Sequence, residues 1–231
     1  MEFETFRAIK DNYSMLVMAE EMDDIILAGQ LTSIGFECKR CGECCRSHQA
    51  DNSVLVFPDE VLRIMDANNL GWYDVCNPSS PQFIDNKNTL HSLEWELKRH
   101  NNGSCTFLND DNTCSIYFWR PWICRTYPFY LHFEDERAPL LNISECEGVG
   151  SGVLRAQDSE NLALLLKERL ISEIQEEIHV LEHLDGLENW KLFNSSIQGN
   201  NAKFKLAVHD SHGCTIVETH IKQSLMNNNY Y

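Results

Sequence analysis

The chain has 231 residues, 43% of them hydrophobic, enough to bury a real core in one large domain or two small ones and too many for a disordered protein. Its formal net charge of −16 sets 35 acidic against 19 basic residues, a field that repels nucleic acid and anionic lipid and argues against both as partners. No run approaches the roughly 18 apolar residues of a membrane span, and the acids of Met1-Glu-Phe-Glu-Thr-Phe6 stand where a signal peptide needs basic residues, so a soluble, cytoplasmic protein without a membrane partner is expected.

Residues 1–35 read as an N-terminal helical segment. Phe6, Ile9, Tyr13, Leu16 and Met18 recur at helical spacing, acids cluster at Glu20, Glu21, Asp23 and Asp24, and Gly35 closes the region. Val54-Leu-Val-Phe57 is a short apolar stretch of strand type. Pro58-Asp-Glu then opens a helix through Val61, Leu62, Ile64 and Met65, with acids in its first turn. Residues 74–103 carry Pro78, Pro81, Gly103 and many Asn, which predicts a long surface excursion around a short helix near Trp95.

Two hairpins follow on turn chemistry. Cys105-Thr-Phe-Leu108 and Cys114-Ser-Ile-Tyr117 flank the turn-forming run Asn109-Asp-Asp-Asn112. Phe129-Tyr-Leu-His-Phe133 and Pro139-Leu-Leu-Asn-Ile143 flank a charged turn from Glu134 to Arg137. Between them, Pro121 is suited to open one helical turn and Pro128 to end it. The clearest helix is 158–184, where Leu162, Leu166, Leu170, Ile174, Ile178, Leu181 and Leu184 form one apolar stripe. Asp158 or Ser159 is placed to cap its start and Gly186 to close its end.

The chemistry is carried by cysteine. Cys38-Lys-Arg-Cys41-Gly-Glu-Cys44-Cys45 packs four thiols into eight residues, and Cys105, Cys114, Cys124 and Cys146 add a second set. Thiolates this dense repel one another and oxidise readily unless a metal takes up their charge. In a reducing compartment they favour metal ligation over a disulfide framework. In C-x-x-C, both sulfurs can face one metal while backbone N–H groups point at them, and Gly42 falls where that turn needs a positive φ.

Cys38, Cys41 and Cys44 match the C-x-x-C-x-x-C opening of bacterial ferredoxins, but the fourth cysteine, Cys45, is adjacent rather than four residues on. Adjacent side chains diverge, so Cys44 and Cys45 suit a polynuclear site better than one zinc. Two neighbouring zinc ions satisfy them as well. Structural zinc takes four ligands, so eight thiols allow two such sites, two four-iron clusters, or one cluster with spare thiols.

Three sets of residues carry a resemblance. They are Phe36-Glu-Cys38-Lys-Arg-Cys41-Gly-Glu-Cys44-Cys45-Arg46; Cys105 to Leu108 with Cys114 to Tyr117; and Arg120-Pro121, Cys124-Arg125 and Tyr127-Pro-Phe129. Together they resemble the YkgJ-type cysteine-cluster family, a zinc- or iron-chelating domain. That family's pattern commonly finishes with a cysteine before Gly-x-Gly, which Cys146-Glu-Gly148-Val-Gly150 matches. The resemblance covers about residues 36–150. A similar motif occurs in flagellin lysine N-methylases, where an iron–sulfur cluster is implicated; that likeness concerns a motif, not an activity.

The remaining residues read more plainly. Cys76 and Cys214 lie outside the matched pattern, and each reads as a small buried hydrophobe or a free thiol. Arg120 and Arg125 either neutralise cluster charge or pair with the many acids. Trp119, Trp122, Tyr127, Phe129 and Tyr130 form either a dry shell around a metal or ordinary core. His209-Asp-Ser-His212-Gly-Cys214 is a weak metal corner, while His179 and His183 read as surface histidines near a helix C-terminus. No phosphate loop or nucleophile elbow is present.

The expected fold is α+β: an irregular, metal-nucleated cysteine-rich centre (36–150) with short β-hairpins, flanked by the N-terminal helices (1–35) and a C-terminal helical region (151–231). The expected function is an iron–sulfur protein holding one or two clusters of 4Fe–4S type, in electron transfer or as a redox accessory to a protein partner. The alternatives are a cluster-dependent enzyme such as a protein methyltransferase, or a zinc-stapled interaction domain. The expected ligands are Cys38, Cys41, Cys44, Cys45, Cys105, Cys114, Cys124 and Cys146.

Overall fold

A computed structural model describes residues 2–46, 53–134, 138–184, 191–192 and 203–220. The expected N-terminal helical segment is two helices, α1 (Glu2–Glu20) and α2 (Asp24–Ile34). Asp23 makes the break: its carboxylate accepts the backbone N–H groups of Ile25 and Ile26 at 2.8 and 3.2 Å, the geometry of an N-cap. Gly35 ends α2 at φ +72°, where its N–H reaches the Leu31 carbonyl.

The long helix predicted over 158–184 is the sixth in the chain, α6 (Ala156–Leu184). It begins two residues earlier than expected, so neither predicted cap acts as one. Ser159 instead donates to the Arg155 and Ala156 carbonyls, and Asp158 pairs with Arg155. Gly186 lies outside the described residues. The stripe buries Ala163, Leu166, Leu170, Ile174 and Ile178 against Ala19, Leu27 and Leu31 of the first two helices and against Phe129 and Leu131.

The strands form three sheets. Strands β1 (Leu55–Val56), β5 (Trp95–Leu97) and β2 (Cys76–Pro78) pair antiparallel, with Trp95 opposite both Val56 and Pro78. Helix α3 (Pro58–Asn68), which starts at Pro58 as predicted, and the single turn α4 (Trp72–Val75) close over this sheet through Val61, Ile64 and Val75. A five-stranded sheet runs β10-β9-β4-β3-β8, from strands β3 (Phe83–Ile84), β4 (Thr89–Ser92), β8 (Lys191–Leu192), β9 (Lys203–Asp210) and β10 (Gly213–His220). Its β4 and β9 are parallel and the other pairs antiparallel. Strands β6 (Phe129–Phe133) and β7 (Pro139–Ile143) form the second predicted hairpin, with Phe129 opposite Ile143.

Three expectations give way. Residues 74–103 carry four short strands, β2 to β5, in place of a surface excursion around a helix near Trp95. Trp95 lies in a strand, 1% exposed, and its indole N–H donates to Asp210 at 2.6 Å. The polar residues that suggested a loop make the turns between strands: Asp85 accepts the N–H groups of Lys87 and Thr89 at 2.9 and 2.7 Å. Residues 203–220, read within the C-terminal helical region, form the hairpin β9–β10, and β9 finds its second partner in β4, more than a hundred residues earlier. The first predicted hairpin shrinks to one bridge, Leu108 with Cys114, closing a turn in which the Asn109 N–H meets the Thr113 carbonyl at 2.8 Å.

Among the described residues, no helix is long and apolar enough to cross a membrane.

Candidate metal centre

The first four cysteines lie on a turn that the sequence builds from Gly42 and Arg46. Gly42 takes the expected positive φ, +78°, and leads into a 3-10 turn over Glu43–Cys45 closed by the Cys45 N–H on the Gly42 carbonyl at 3.0 Å. Arg46 then reaches back to the Cys41 carbonyl and the Glu43 carboxylate, both at 2.9 Å, and across to the side-chain oxygen of Asn112. One guanidinium thus ties the cysteine turn to the loop that joins Cys105 to Cys114.

The turn also overturns the premise that adjacent cysteines must point apart. The sulfurs of Cys44 and Cys45 are 3.9 Å from each other. Two thiolates bound to one zinc at about 2.3 Å stand about 3.8 Å apart, so this pair also suits a single ion.

Two backbone junctions bring the later cysteines to this turn. The Cys105 N–H donates to the Cys45 carbonyl at 2.8 Å. On the other side, Glu37 donates to Gly148 at 3.1 Å, Gly150 donates to Gly35 at 3.0 Å, and Phe36 bridges Val149. Cys146 is held beside Cys38 as a result. The contact is close: a Cβ on Gly148 would lie 2.5 Å from the Glu37 carbonyl oxygen. Helix α5 (Trp122–Thr126), opened after Pro121 as predicted, carries Cys124.

Three of the cysteines share a local device. The N–H two residues on points at the sulfur: Gly148 to Cys146 at 3.4 Å, Phe107 to Cys105, and Ile116 to Cys114. These donors favour thiolate over thiol and so prepare a sulfur to bind metal. Against them, burial pushes Cys105 and Cys114 upward, and pushes Cys124 up to about 12 with help from the charges of Cys105, Cys44 and Cys114. Within the adjacent pair, Cys44 is the more acidic, drawn down to about 7 chiefly by the hydrogen bond from Cys45, whose own thiol is raised by that bond.

Exposure divides the eight. Cys38, Cys41 and Cys44 are exposed, Cys45, Cys114, Cys124 and Cys146 are half-buried, and Cys105 is buried. Among the described residues, no three Cys, His, Asp or Glu side chains converge closely enough to hold a metal ion. The eight thiols form a neighbourhood rather than a closed coordination sphere. Its chemistry nonetheless fits a thiophilic metal: eight soft sulfur donors, backbone N–H groups aimed at three of them, and arginines beside them.

The charge of Arg99 lowers Cys105, and that of Arg120 lowers Cys44, Cys114 and Cys124. Arg120 is held by its Nε–H on the Tyr117 carbonyl at 2.9 Å and by the Tyr117 ring, 3.7 Å below its guanidinium. The expected dry aromatic shell forms only in part. Phe129 is buried in the helical core, Trp122 packs on Phe57, and Tyr127 stands near Cys146, Cys44 and Cys41 with its hydroxyl on the Glu145 carbonyl at 2.6 Å. Trp119 and Tyr130 are exposed.

One contributor escaped sequence reading. Glu60, 3% exposed, accepts the Trp122 N–H at 2.6 Å and the Phe57 N–H at 3.1 Å, joining the start of α5 to the start of α3. Its spacing from Phe57 signals a helix-start bond, but nothing in the sequence signals the bond to α5, 62 residues away. Cys76 and Cys214 lie apart from the eight: the charge that leads on each is Asp210, not a cysteine. Cys76 is fully buried with its sulfur 3.7 Å from the Trp72 carbonyl, and Cys214 is exposed on β10 opposite His209. The conceivable histidine corner does not assemble. His209 is hydrogen-bonded to His91 at 2.9 Å and stacked on it, while His212 faces Asp59 at 3.3 Å. His183 is exposed, its ring on the His179 carbonyl.

A profile of the CxxCxxCC family, described as "Putative zinc- or iron-chelating domain", matches residues 37–147. No curated protein and no solved structure matches the chain.

Proposed function

We propose, since residues 37–147 belong to the CxxCxxCC family of metal-chelating domains, that this protein binds an iron–sulfur cluster and serves a partner protein in electron transfer or as a redox accessory. The observation that carries this reading is the exposure of the ferredoxin-type opening. Cys38, Cys41 and Cys44 stand on a surface turn led by Gly42, while the other ligand candidates sit deeper. A cluster held partly by surface thiols lies within reach of a docking partner, and its potential responds to the N–H donors and the arginines beside it. The proposed ligands are the eight cysteines, four thiolates being the usual complement of one cluster.

A second reading, a zinc-stapled interaction domain, is favoured by the 3.9 Å between the Cys44 and Cys45 sulfurs, close to the edge of a zinc–thiolate tetrahedron. Anaerobic purification followed by iron, acid-labile sulfide and zinc analysis separates the two. The iron–sulfur reading expects brown protein with iron and sulfide in equal amounts. Colourless protein with stoichiometric zinc, and no iron even after reconstitution, contradicts it and leaves the zinc reading.

A further inference from the structure

We infer that the eight cysteines form two abutting four-thiol sites, an inner one from Cys45, Cys105, Cys114 and Cys124 and an outer one from Cys38, Cys41, Cys44 and Cys146, with the Cys44–Cys45 peptide as the seam. The inference rests on metal binding by this domain, and it places the Cys44 and Cys45 sulfurs, 3.9 Å apart, on two neighbouring metals, iron or zinc, instead of on one shared ion.

Backbone geometry carries it. The inner group is joined through the Cys105 N–H on the Cys45 carbonyl at 2.8 Å and the Leu108–Cys114 bridge. The outer group is joined through an independent junction, the Phe36–Val149 bridge with the Glu37–Gly148 and Gly150–Gly35 hydrogen bonds. Each junction fastens one distant segment to one side of the cysteine turn. The segments differ as well: residues 105–124 feed only the inner group and residues 146–150 only the outer.

Exposure divides the thiols along the same line. No inner cysteine is exposed, whereas three of the outer four are. The charges felt by the thiols agree: those acting on Cys146 come from Cys41, Cys38 and Cys44, and those acting on Cys45 from Cys44, Cys105 and Cys124. Cys44 acts on both groups, as a residue on the seam must. Its exposure, with Cys45 half-buried, assigns it outward and Cys45 inward.

Unequal access predicts unequal lability, because the protein shell around a site controls the approach of competing ligands. The outer metal exchanges readily and is the one a partner meets. The inner metal is the structural one.

The test is anaerobic metal analysis and timed release to a chelator, on full-length protein in its purified metal-loaded form. Wild type should release metal in two phases of about equal amplitude, fast then slow. Cys41→Ser and Cys146→Ser should each keep about half of the metal and lose only the fast phase. Cys44→Ser should behave like Cys41→Ser, and Cys45→Ser should lose the slow phase. A single release phase in wild type, or loss of all metal from Cys41→Ser while circular dichroism shows it folded, would mean one shared site and overturn the division. Exchange of the outcomes for Cys44→Ser and Cys45→Ser would overturn the seam. Because the readout is a fraction of whatever metal is bound, finding zinc in place of iron ends the iron–sulfur reading and leaves this test intact.

Discussion

Around α6, five fully apolar positions from Ala163 to Ile178 lie within one buried cluster with α1, α2 and the β6–β7 hairpin. Around Cys45, residues 36–46, 99–128 and 144–152 contain only a bridge here, a 3-10 turn there and the five residues of α5. The helical core orders its chain by removing continuous apolar surface from water, at roughly 25 cal/mol per Å². In the cysteine centre Cys105, Phe107 and Ile116 reach a buried apolar cluster, with Cys45, Leu108 and Cys114 packed against it, but no continuous stripe runs through it. Beside those contacts its segments are joined by hydrogen bonds, each contributing about 1 kcal/mol net, against a backbone ordering cost of about 1–2 kcal/mol per residue. A metal that binds thiolates is the further means its side chains offer for holding these segments together.

The sharpest way to break this contrast is to remove one inner thiol. Cys124→Ser should lose at least the inner half of the bound metal and with it much of the order of the centre, since structural metal supplies on the order of 10 kcal/mol of folding free energy in small zinc peptides. Metal analysis and circular dichroism check it; unchanged metal content would remove Cys124 from the ligands. The matching lesion in the helical core is Leu170→Ala. It opens a cavity under a buried side chain and should cost about 2–5 kcal/mol in denaturant unfolding, with metal per folded molecule unchanged.

A smaller effect comes from the polar layer in the five-stranded sheet. His209 is held down to about 4, first by burial and then by the charge of His91. The native imidazole therefore stays neutral while the unfolded chain takes up a proton below about 6.5. The sign is unfavourable to the fold: stability is drained as pH falls from about 6.5 to about 4, and this group draws nothing above that window. Following the His209 ring proton by NMR checks it, and a titration midpoint near 6.5 would contradict the buried pair. The smallest effect is expected at Cys214. Cys214→Ser should leave both metal content and stability nearly unchanged, because the side chain is exposed and lies outside the cysteine neighbourhood.

What could be read in the sequence followed how local its cause was. The α6 stripe, the Gly42 turn, the helix after Pro58, the short helix after Pro121 and the β6–β7 hairpin each rest on residues within a few positions, and each stands where expected. The strands of 74–97 were illegible because they are two to four residues long and acquire their identity from distant partners: β4 pairs with β9, and Trp95 with Asp210. In the site, motif spacing named a cysteine-rich chelating segment. Residue types alone did not show that a 3-10 turn would bring the adjacent sulfurs together, or that Glu60 would fasten α5. Both depend on backbone directions set by the rest of the fold.

Hydrogen exchange on metal-bound and metal-stripped protein tests the central claim most directly. Metal removal should cost amides of the cysteine centre, 36–46, 99–128 and 144–152, most of their protection. Amides of α6 should keep theirs, because apolar packing on α1 and α2 holds that helix. Equal protection in both regions after metal removal would contradict the account and make the metal a passenger on a domain already folded without it.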